Sequence, residues 1–97
     1  MYNLDALQQI EKIKTLHWIR RSAVFYKQCF AYSDNPKEIE AAKQGYKELL
    51  DSFAEVSNHV PLSQYRAAER DFEYFLRLID LALAYSIYEM ETIGQLQ

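Results

Sequence analysis

Residues 74–88, YFLRLIDLALAYSIY, carry apolar side chains on more of a helix circumference than a surface helix needs. One stripe runs through Tyr65, Ala68, Phe72, Phe75, Leu76, Ile79, Leu83, Met90 and Ile93 at helical spacing. On the other side Tyr74, Leu78, Leu81, Tyr85 and Tyr88 follow at intervals of four, three, four and three, a heptad-type seam. A helix with two such faces must be covered twice, and the question is what covers it.

The punctuation of the chain sets the number of helices. Only two Gly and two Pro occur in 97 residues. In SDNPKEIE, Asn35 suits an N-cap, Pro36 the first helical position, and Glu38 completes a capping box. NHVPLSQY is a second break, with Ser63 as the cap, and Gly94 is placed to end the last helix. The spacing therefore predicts three long helices over about 3–32, 36–58 and 62–93 in one domain spanning 1–97. No alternating strand pattern, internal repeat or low-complexity segment competes with this reading. Gly45 falls inside the second helix and reads as a tolerated surface residue, with close helix contact as the alternative.

Short connections make successive helices antiparallel neighbours, so the expected fold is all-α, an up-down-up bundle. Helix 2 has one apolar face, Ile39, Ala42, Tyr46, Leu49, Leu50, Phe53 and Val56. Helix 1 changes sides. Its first half presents Ala6, Leu7, Ile10 and Ile13, its second half Trp18, Phe25, Tyr26, Cys29 and Phe30 on nearly the opposite side. Helices 1 and 3 are each roughly 45 Å long against roughly 34 Å for helix 2, so the start of helix 1 and the end of helix 3 overhang at opposite ends. A two-fold axis would lay each overhang beside the other's counterpart in a second chain. The expected assembly is a homodimer forming a larger helical bundle. The partner-binding residues are then Tyr74, Leu78, Leu81, Tyr85 and Tyr88 with Leu7, Ile10 and Ile13. The alternative is a four-helix bundle within one chain, helix 1 breaking near Lys14–His17 to fold back over the seam.

Chemistry-bearing residues are sparse. No Gly-rich phosphate loop, Ser-His-Asp arrangement or reactive-cysteine context is present, so no catalytic residue, cofactor or metal is expected. Glu55 and His59 are four apart, a minimal metal pair, but the repeated Glu-x-x-His pattern of metal bundles is missing. His59 reads as an ordinary helix-end contact and His17 as a partly buried structural imidazole. Arg66, Arg70 and Arg77 line one side of helix 3, with Arg20 and Lys27 on helix 1, a set that suits phosphate contacts in a nucleoprotein subunit. Glu69, Glu73 and Asp80 border them, and Glu73 to Arg77 is a favourable i,i+4 pair. The formal charge of −3 gives no general pull toward nucleic acid or anionic membrane.

The long first helix with Arg20-Arg21 at its middle is similar to that of the helical chorismate mutases. That resemblance implies an intertwined dimer surrounding a dianionic substrate with Arg and Lys from both chains. The family's lysine eleven residues later meets Ala31 or Tyr32 here, and helix 2 contains no arginine.

Cys29 stands alone, which precludes an internal disulfide and fits a reducing compartment. It reads as a small hydrophobe between Phe25 and Phe30. MYNLDALQQIEKIK lacks the apolar core of a signal peptide. The run Leu78–Tyr88 contains Asp80 and is far shorter than the roughly 20 residues of a membrane span. A cytoplasmic location is expected. Eight tyrosines, each an apolar body with a polar tip, suit half-buried and interface positions. The functional expectation is a non-enzymatic helical interaction module, an adaptor, chaperone-like binder or inhibitor, with itself and another protein as partners.

Overall fold

The computed structural model describes residues 4–95 and is all-α, as expected, with α1 Leu4–Tyr32, α2 Pro36–Val56, α3 Leu62–Ala68 and α4 Phe72–Gln95. α1 is one uninterrupted helix. The break near Lys14–His17 is not there: that stretch has neither Gly nor Pro, and Leu16 within it and Ile19 just after it are completely buried.

The single helix expected over 62–93 is instead divided between α3 and α4. Arg70 N–H and Asp71 N–H each bond three residues back, to the carbonyls of Ala67 and Ala68, so the last turn tightens and the helix stops. Asp71 then starts the next helix. Its Oδ1 accepts from Tyr74 N–H at 3.2 Å while its carbonyl accepts from Phe75 N–H. Ser63 lies within α3 and makes no cap; Pro61 occupies that position. Gly94 is helical without a positive φ and does not end α4.

This division changes the direction of the last long helix. α3 runs back along α2, with Tyr65 donating to Asp51 and the Tyr46 hydroxyl reaching the Ala68 carbonyl at 3.4 Å. α4 then reverses. On its α1 side Glu73, Asp80 and Glu89 meet Lys27, Arg20 and Gln9, so the partner number falls as the α4 number rises. α4 is antiparallel to α1, and the chain runs up, down, briefly up, and down. The overhangs expected at opposite ends therefore meet at one end. For these segments the neighbour assigned to a second chain comes from the same chain.

α1 packs along both α2 and α4, giving a flattened body of 53 × 28 × 16 Å. The core is Leu16, Ile19 and Ala23 of α1, Leu49, Leu50 and Phe53 of α2, Ala68 of α3, and Phe75, Leu78, Ile79, Ala82 and Leu83 of α4. Aromatic rings bridge α2 to α4: the Tyr46 ring centroid lies 5.3 Å from that of Phe72, tilted, and 5.5 Å from that of Phe75, edge-on, and Phe53 meets Phe75 edge-on at 5.4 Å. At the α1–α2 junction Asn35 caps as expected, its Oδ1 accepting from Lys37 N–H at 2.9 Å. The capping box is not closed. Glu38 accepts from the Ser33 hydroxyl at 2.7 Å, and Asn35 N–H turns to that same hydroxyl.

Gly45 is a close-contact residue rather than a surface one. The Tyr26 ring of α1 lies over it, and a Cβ there would fall 2.8 Å from Tyr26 Cε1.

Candidate interaction surface

The direction of α4 decides which of its apolar side chains stay in solvent. Leu78 is 1 % exposed and belongs to the core, and Tyr74 packs against the core from its edge. Leu78 is thus a correction to the expected partner-binding set, because the side of α4 that holds it turns toward the other helices. Leu81 and Tyr88, both 65 % exposed, and Tyr85, 45 % exposed, remain on the surface. Ile87 adds a partly exposed edge.

The exposed seam is displaced by one strip from the line read in the sequence. It runs Arg77, Leu81, Ala84, Tyr88 and Glu91, again at intervals of four, three, four and three, and all five are exposed. It shares Leu81 and Tyr88 with the earlier line. Tyr85, on its flank, stacks against His59 with ring centroids 3.7 Å apart and lies 6.4 Å from Tyr88.

His59 pairs across the fold rather than with Glu55. Its Nε2 is 2.6 Å from Glu89 Oε1, and the other Glu89 oxygen accepts from Gln9 Nε2 at 2.5 Å. Glu89 thereby ties the α2–α3 connection and the start of α1 to the last turns of α4. Among the described residues no group of three or more His, Cys, Asp or Glu is placed to hold a metal ion.

On α1, Ile10 and Ile13 are partly buried, Ile13 against the core, while Leu7 is exposed. The larger exposed surface of α1 lies elsewhere. Trp18, Phe25 and Tyr32, seven residues apart, all face solvent, and the boundary of the core runs between Phe25 and the half-buried Tyr26. The sevenfold spacing was available in the sequence. Grouping Trp18 and Phe25 with Tyr26 and Phe30 as one side concealed it. Cys29 is half-buried and lines an open groove between α1 and α2 with Phe25, Tyr26 and Ala41.

The cations do not form one stripe. The helix break separates Arg66 and Arg70 from Arg77. Arg20 Nε is 3.1 Å from Asp80 Oδ1, and Lys27 pairs with Glu73 while lying 5.5 Å from the Phe72 ring centroid. Glu73 is therefore engaged across the helix interface and does not pair with Arg77. No helix among the described residues is long and apolar enough to cross a membrane.

No family model, curated protein or solved structure matches this chain.

Proposed function

We propose that this chain is a non-enzymatic helical interaction module that binds another helical protein surface through the outer face of α4. The observation that carries the reading is the exposure of Leu81, Tyr85 and Tyr88 together on one rigid helix. Large side chains with few rotatable bonds lose little entropy on docking and release much apolar surface, as interface anchors do. Trp18 and Phe25 on α1 offer a second aromatic face for the same kind of contact. A reducing, cytoplasmic setting suits the single unpaired cysteine. The phosphate-binding alternative is less favoured, since Arg20 and Lys27 are already neutralised by Asp80 and Glu73. The same engagement of Arg20 weighs against its serving a dianionic substrate.

The test is affinity capture with the tagged protein beside its L81E/Y88E variant. Both positions are exposed, so the far-ultraviolet helix signal is expected to be unchanged. A protein partner held by the parent and lost by the variant supports the reading. Identical capture by both removes α4 as the working face.

A further inference from the structure

The exposed seam of α4 has a symmetry that a generic docking face does not need. Arg77 lies seven residues before Ala84 and Glu91 seven residues after it, so one cation and one anion stand equidistant from the smallest side chain of the seam. Leu81 and Tyr88 flank the same centre at three and four residues. All five side chains are exposed, and among the described residues neither Arg77 nor Glu91 has an ion-pair partner, since Glu73 is engaged with Lys27.

We propose that the occupant of this face is a second copy of the chain, its α4 laid antiparallel on the first with Ala84 at the two-fold axis. This rests on the reading of α4 as the docking face. The antiparallel arrangement brings Arg77 opposite the partner's Glu91, and the two-fold repeats the pair at the other end. A parallel arrangement would set Arg77 against the partner's Arg77 and Glu91 against the partner's Glu91, which repel. Ala84 against the partner's Ala84 lets the two backbones approach, and Leu81 then packs beside the partner's Tyr88 on either side of the axis. The contact spans about 21 Å of helix. That is less than a standard interface of about 800 Å² per partner requires, so the dimer is weak and concentration-dependent.

Sedimentation equilibrium of the full chain, from micromolar to hundreds of micromolar, reads the association. The expected mass rises from 11.5 kDa toward twice that value. Arg77→Glu and Glu91→Arg should each weaken dimerisation about tenfold, because each creates two like-charge contacts, and the double variant should recover it. With Cys29 replaced by Ser, an Ala84→Cys chain should oxidise to a covalent dimer and an Ala41→Cys chain should not. A chain monomeric throughout the range overturns the second copy as occupant. Partner capture that still depends on Leu81 and Tyr88 would then leave the docking face intact. A dimer whose charge variants are not rescued together, or that fails to cross-link through position 84, overturns the antiparallel register.

Discussion

The Tyr26 ring covers Gly45 so closely that the α1–α2 contact has no room for a methyl group between them. Two opposed effects meet at this position. Alanine gains about 1 kcal/mol of helix propensity over glycine, while displacing a packed ring costs about 1–3 kcal/mol. Gly45→Ala is expected to be destabilising by about 1 kcal/mol in the parent. In a Tyr26→Ala background it should be stabilising by a similar amount. Urea unfolding of the four chains gives the coupling, and stabilisation by Gly45→Ala in both backgrounds would show that the ring does not constrain the helix pair.

Leu78 and Leu81 are one turn apart on α4 and should respond very differently to the same truncation. Leu78→Ala opens a cavity in the core and should cost about 2–5 kcal/mol. Leu81→Ala, on the solvent side, should stay within about 0.5 kcal/mol for the dilute protein. Equal losses would mean that the two residues share one environment.

Asp71 begins α4, its Oδ1 accepting from Tyr74 N–H at 3.2 Å at the exposed start of the helix. Asp71→Ala should therefore lower stability by about 1 kcal/mol, as should Asn35→Ala at the start of α2. Asp71→Asn should retain most of the parent's stability, since Asn caps about as well as Asp. An Asp71→Ala chain as stable as the parent would indicate that α3 and α4 join without need of a cap.

Two tyrosines make the fold sensitive to alkali. The Tyr46 phenol is pushed up to about 12, chiefly by burial and then by the charge of Asp71. Tyr65 is also pushed up to about 12, first by burial, then by its hydrogen bond to Asp51 and the charges of Asp51 and Glu69. The folded state holds these protons more tightly than the unfolded chain, whose tyrosines ionise near about 10. The stability they contribute is whole below that value and is lost as pH rises through about 12. Thermal unfolding followed from neutral pH into this window should show the decline, and Tyr46→Phe should make it shallower. An identical slope in the variant would place the sensitivity elsewhere.

Local signals made the helices legible. The 3.6-residue repeat through α2, the Asn35-Pro36 start and the shortage of Gly and Pro elsewhere depend only on neighbours along the chain, and the structure places α2 and the unbroken α1 where they point. The stop at Glu69–Asp71 carries no Gly or Pro; its one written mark is Asp71, an acid that also reads as part of a charged helix face. What breaks the helix there is packing, since Tyr65 and Ala68 must meet α2 on the way up while Phe72 and Phe75 meet it on the way down.

From that turn the rest follows, and none of it was decided by local sequence. The periodicity of α4 determined that two sides of the helix are apolar, but a repeat is the same read in either direction and does not tell which side is enclosed. Only the antiparallel seating of α4 on α1, marked by Arg20–Asp80 and Lys27–Glu73 along its edge, sends Leu78 inward and leaves Leu81 and Tyr88 in water. Burial is a property of a helix and its neighbours together, so the sequence determined how much apolar surface each helix carries and the tertiary structure decided which part of it remains for another molecule.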